Sequence, residues 1–140
     1  MISVPLARAL RTAGLRWKPA SGDRFSLDLA ETLGDVFTIS EMTVEAHSYP
    51  TGTILGFNGT TEWALDSVAM DDALWLPRED QLRELLRATF RALRRAGTDE
   101  AEVFEVDIVL RGEALTFSAE SADDAYAEAL LTLVAGSAFE

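Results

Sequence analysis

Cysteine is absent from the 140 residues, lysine occurs once, at Lys18, and histidine once, at His47. Without cysteine there are no disulfides, thiolate nucleophiles, zinc–cysteine sites or iron–sulfur clusters. The single lysine sits between Trp17 and Pro19, so the usual phosphate-binding loop, which needs lysine directly after glycine, cannot form. No G-x-G-x-x-G occurs either. A serine triad would have only His47 as its base, and no G-x-S-x-G elbow presents a serine to it. Long apolar runs are also missing: none approaches the ~20 residues that cross a bilayer. The opening MISVPLARALRTAG lacks the charged leader and apolar core of a secretion signal. These absences lead to the expectation of a cytoplasmic protein with no cofactor and no membrane partner.

What is present is the composition of a globular chain, 48% apolar and 26% charged, in a length that suits one domain spanning 1–140. The net charge is −12. It is unevenly spread: residues 78–95 hold six arginines against three carboxylates, a net +3, so the other 122 residues carry −15. An acidic body repels nucleic acid and anionic membrane over most of its surface.

Patterning places the elements. Ser3 is set to cap a first helix running to about Ala13, with Leu6 and Leu10 on one face and Gly14 as its stop. Pro19, Ser21 and Gly22 mark a loop, after which Phe25, Leu27 and Leu29 alternate as a strand. Across residues 36–49 the apolar parity switches between Ile39 and Met42, which requires a bulge or break near Ser40–Glu41. "YPTG" turns the chain into a return arm from Thr53 to Phe57. A short helix after Asn58-Gly59 should carry Trp63, Ala64 and Val68 inward.

A longer helix is expected from Pro77. Leu82, Leu85, Leu86, Phe90 and Leu93 would form its buried stripe. Further on, Phe104, Val106, Ile108 and Leu110 share a face, Arg111-Gly112 turns, and Leu115 and Phe117 return. Ser121 and Asp124 resemble a capping box for a last helix, ended by Gly136. The order implies an α+β fold: an antiparallel sheet of about five to six strands with about four helices packed on it.

Two constellations could carry function. On the expected 77–95 helix, Arg83, Arg87, Arg91 and Arg94 or Arg95 recur every three to four residues opposite the leucines. They would make a ridge for an acidic protein partner or a second copy of this chain, with Trp75 just ahead of it. The plainer interpretation is a solvated face laced by Glu79–Arg83 and Glu84–Arg87 pairs worth about 0.2–0.5 kcal/mol each. Trp17, Trp63 and Trp75 offer aromatic surface to the same partner. Separately, Glu45 and His47 share strand parity with Glu41. A carboxylate and an imidazole two residues apart could hold two positions of a divalent metal, although no second histidine exists to complete the set. The alternative to an interaction or regulatory module is therefore a small enzyme or ligand binder using Glu41, Glu45 and His47. The carboxylate pairs Asp71-Asp72, Asp99-Glu100 and Asp123-Asp124 fit helix starts and turns. The sequon Asn58-Gly59-Thr60 has no secretory context.

Three stretches, "LRWKPASGDRF", "TGTILGFNGTTEWALDSV" and "ALWLPREDQLRELL", together resemble a family of small, acidic, uncharacterised proteins of high-GC Gram-positive bacteria. Some of its members carry a pilus-assembly name. The resemblance covers most of residues 1–95 and, more loosely, the final hairpin and helix. It implies no chemical role for any residue here. Pilus-assembly ATPases are larger and need the phosphate-loop lysine that this chain lacks.

Overall fold

The computed structural model describes residues 1–27, 35–39 and 72–136, and the backbone of 43–49, 52–58, 67–69 and 137. The chain divides into two compact units, one from Met1–Arg16 with Pro77–Glu140 and one from Trp17–Leu76. The class is α+β. In place of a single sheet of five to six strands there are three antiparallel three-stranded sheets, and three α-helices rather than four among the described residues.

In the first unit, α1 (Val4–Ala13) ends as its glycine requires. Gly14 takes φ 114°, and the Leu15 N–H donates to Leu10 C=O at 2.9 Å. Only a residue without a Cβ adopts that backbone freely. Ser3 occupies the capping position, but its side chain makes no cap. Its backbone N–H instead donates to the Asp124 carboxylate at 2.8 Å. Asp124 belongs to α3 (Ala122–Ser137), where the Ser121 hydroxyl accepts the Asp124 N–H at 3.1 Å. Half of the expected capping box forms, and the carboxylate that would complete it ties down the start of α1 instead. Gly136 lies inside α3 and does not end it.

α1 and α2 (Glu79–Leu86) both pack on α3, and α3 packs on β8 (Ala101–Leu110) and β9 (Glu113–Ala119). A helix covered on several sides needs apolar residues nearly all round. The run Ala125–Leu130 supplies them, with all but Glu128 buried. Val106 and Ile108 of β8 meet this layer with no exposed surface, as their alternation predicts. Burying each such side chain stabilises the fold by about 1.5–3 kcal/mol. The β8–β9 turn falls at Arg111-Gly112, both at positive φ (54° and 79°), the conformation that a two-residue hairpin favours.

The 77–95 helix is the main correction. α2 stops at Leu86, a single 3-10 turn follows at Arg87–Thr89, and β7 (Phe90–Thr98) pairs with β8. Phe90 and Leu93 therefore face Ile108 and Val106 across a sheet instead of extending a helical stripe. Alanine, leucine and arginine favour a helix locally, but an eight-position antiparallel ladder outweighs that preference. Gly97, at φ 85°, makes the tight approach to the Asp99–Glu100 turn, since a Cβ there would lie 2.3 Å from the Ala101 carbonyl oxygen.

In the second unit, β1 (Arg24–Leu27) lies between β2 (Val36–Thr38) and β6 (Ala73–Trp75). A separate sheet holds β3 (Thr43–Tyr49), β4 (Gly52–Asn58) and β5 (Ser67–Ala69). The parity switch after Ile39 is thus a change of sheet. β3 and β4 pair from Tyr49↔Gly52 to Thr43↔Asn58, as a hairpin. Val68 lies on β5, which pairs with β4, so it belongs to a strand and not to a helix. Trp63, Ala64 and Leu29 lie outside the described residues. Phe25, Leu27, Ile39 and Ala73 form the buried core of the β2-β1-β6 sheet, with Trp17 and Phe37 packed against it.

Candidate interaction site

α2 begins where proline and its cap place it. Pro77 is buried, and the backbone N–H of Arg78 donates to the Gln81 side-chain oxygen at 2.9 Å. Leu82 and Leu86 turn inward and are fully buried, which leaves Glu79, Asp80, Arg83 and Glu84 outside. Asp80 is held below its ordinary carboxylate value by a hydrogen bond from the Arg78 guanidinium, at 3.1 Å.

The helix ends at Arg87 with φ 53° and ψ −133°. That region of backbone space is populated essentially by glycine, and a side chain held there costs of order 1–3 kcal/mol. The reversal turns the chain out of the helix, and the Thr89 hydroxyl donates to the Leu86 carbonyl at 2.5 Å across it. A glycine would suit the bend. The sequence places an exposed arginine there instead.

The expected ridge of Arg83, Arg87, Arg91 and Arg94 is broken by this turn, because only Arg83 lies on the helix. Arg91 falls at the register shift between Phe90 and Ala92, and its guanidinium turns back onto the carbonyls of Ala88 and Phe90. Arg94 stands on the sheet opposite Glu105. Both ends of its guanidinium donate to Asp107, which also accepts the Thr116 hydroxyl at 2.7 Å. Arg95 pairs with Glu102 at 2.9 Å and approaches Asp99 at 3.6 Å. Asp107 is consequently held below the usual carboxylate range, first by Arg94 and then by Thr116, while Arg94 is pushed upward by Asp107.

Arg83 and Arg87 differ from these. Neither makes an ion pair among the described residues, and the Glu79–Arg83 and Glu84–Arg87 pairs expected along the helix do not close. Arg83 instead borders a shallow cavity of about 280 Å³ with Glu79, Asp80 and Tyr126. Burial, and then the Glu79 carboxylate, raise the Tyr126 phenol above its ordinary value, with Arg83 opposing. The Tyr126 ring packs on Phe90, centroids 5.7 Å apart.

Trp75 belongs to the other unit. Its ring stacks on Trp17 at 6.4 Å and 10°, and its indole N–H is buried without a hydrogen-bond partner among the described residues. Trp17 donates its own N–H to the buried Asp23 at 2.9 Å. These contacts make Trp75 half of an aromatic pair on the β2-β1-β6 sheet. Glu45 and His47 do share a parity on β3, opposite Gly56 and Ile54 of β4, while Glu41 lies outside the described residues. No cluster of three or more metal-ligating side chains occurs among the described residues.

Sequence reasoning missed Asp107, Glu105 and Glu102 as the partners of the β7 arginines. The signal was available in Gly97, which follows the arginines just past the expected helix and marks the bend of a hairpin whose first arm is β7. No family model matches the chain, and neither a curated protein nor a solved structure matches it. No helix among the described residues is long and apolar enough to cross a membrane.

Proposed function

We propose that the chain is a non-catalytic interaction module that takes an acidic protein segment on Arg83 and Arg87, with Arg91 beside them. The observation that carries this is the backbone of Arg87. A charged side chain occupies a conformation that stability would give to glycine, is exposed, and has no ion pair among the described residues. Strain kept at an exposed charged residue points to a role outside the fold. Arg78, Arg94 and Arg95 nearby are all engaged by carboxylates, so within residues 78–95 the cations left without an ion pair among the described residues are those at the end of α2 and just after it.

The partner must be locally acidic, because two guanidiniums recognise carboxylates through charge-assisted hydrogen bonds. The body's net −12 repels such a partner at long range. At physiological ionic strength the Debye length of ~8 Å screens that repulsion and spares contact pairs. The test is titration of the full chain with a fluorescent glutamate-rich peptide at that ionic strength. Binding that weakens about tenfold or more in the Arg83→Glu/Arg87→Glu double variant supports the proposal. Binding that is absent, or unchanged in the variant, ends it.

A further inference from the structure

The β7-β8-β9 sheet has two edges, and they are built differently. The β7 edge is guarded. Its register slips between Phe90 and Ala92, Gly97 leaves the extended conformation at φ 85°, and three arginines lie along it. Bulges, kinks and charges of this kind keep an edge from pairing with another strand. β9 has none of them. It runs in unbroken register with β8 over all seven residues, without proline, and its only charge is Glu113 at the first position.

No described strand pairs with its outer side. No residue of β9 is buried, although Val106 and Ile108 of β8, opposite Phe117 and Leu115, have no exposed surface at all. The helix-bearing face of the sheet is therefore left unfinished at Leu115 and Phe117.

We propose that β9 pairs antiparallel with β9 of a second copy of this chain, about a twofold axis at Thr116, joining two three-stranded sheets into one of six. In that register Leu115 faces Phe117 of the second copy, Ala114 faces Ser118 and Glu113 faces Ala119. Leu115 and Phe117 meet at the centre of the helix-bearing face, Glu113 lies only at its ends opposite Ala119, and no charge opposes a like charge, the arrangement cross-strand pairing favours. Centring the pair on Leu115 instead would set Glu113 against Phe117. An interface resting on one seven-residue strand is at the small end of the range, so the dimer dissociates on dilution. The inference rests on the chain being an interaction module but uses an element separate from the arginines.

Sedimentation of the full chain over a range of concentrations tests it. The wild type should move from 15.3 kDa toward twice that mass as concentration rises. Thr116→Lys and Thr116→Glu each place like charges on the twofold axis and should weaken the dimer about tenfold or more. An equimolar mixture of the two should associate again, which a merely damaged fold cannot do. A wild type that stays monomeric, a dimer indifferent to both variants, or a mixture that stays monomeric overturns the proposal. The Arg83→Glu/Arg87→Glu variant should keep the dimer. A wild type that binds the peptide but stays monomeric fails the dimer alone, and one that dimerises but does not bind the peptide fails the arginine site alone.

Discussion

The guanidinium of Arg94 donates to both oxygens of the Asp107 carboxylate from the neighbouring strand, and Thr116 on the third strand donates to the same group. A polar ladder thus crosses the outer face of the β7-β8-β9 sheet. It accounts for an arginine that would otherwise count toward a docking surface. Arg95 and Arg78 are likewise held by carboxylates, so among the arginines of residues 78–95 the ones without an ion pair among the described residues lie at the end of α2 and just after it.

Replacing Asp107 with Asn should destabilise the protein slightly at neutral pH. Because the fold holds the Asp107 carboxyl below its ordinary value of 3.8, its contribution is present above that pH and fades as pH falls through the lower folded value. Urea denaturation of wild type and Asp107→Asn should therefore differ at pH 7 and converge in strong acid. High salt should also shrink the gap, since the pair is exposed. A gap that widens on acidification would contradict the assignment.

Gly97→Ala should destabilise by about 2 kcal/mol or more, because both the positive φ and the approach to the Ala101 carbonyl oxygen oppose a side chain. Gly14→Ala shares the positive φ but meets no neighbouring atom, so its cost should be smaller. Thermal or chemical melts of the two variants give the comparison directly.

Arg87→Gly separates stability from binding. Glycine relieves the backbone at φ 53°, and the variant should gain about 1 kcal/mol in chemical denaturation. The same change removes a guanidinium and should weaken capture of the glutamate-rich peptide. A variant that is more stable and still binds fully would mean that Arg87 has no recognition role.

Much of the architecture is readable from residue order, and the failures have physical causes. Alternation identified β8 and β9 because one face of each is apolar and the other polar, and Arg111-Gly112 marked their turn. Gly14 and Pro77 punctuated α1 and α2 for reasons internal to the backbone. The 87–98 segment misled because its composition is helical, while its extended state comes from pairing with β8, from Thr98↔Ala101 beside the turn out to Phe90↔Ile108. Local propensity carries no information about a ladder formed with a later strand. The arginine spacing of three to four residues matched a helical face by coincidence. It concealed that Arg94 and Arg95 point to opposite faces of a strand. The change of sheet after Ile39 was visible as a parity switch, but nothing in the pattern revealed that three small sheets would replace one large one.

Backbone chemical-shift mapping with isotope-labelled protein and the unlabelled glutamate-rich peptide tests the central claim most directly. The account predicts perturbations centred on the amides and guanidinium signals of Arg83, Arg87 and Arg91. Arg94 and Arg95, already held by Asp107 and Glu102, should be little affected. Perturbations centred on Arg94 and Arg95, or none at any peptide concentration, would contradict it.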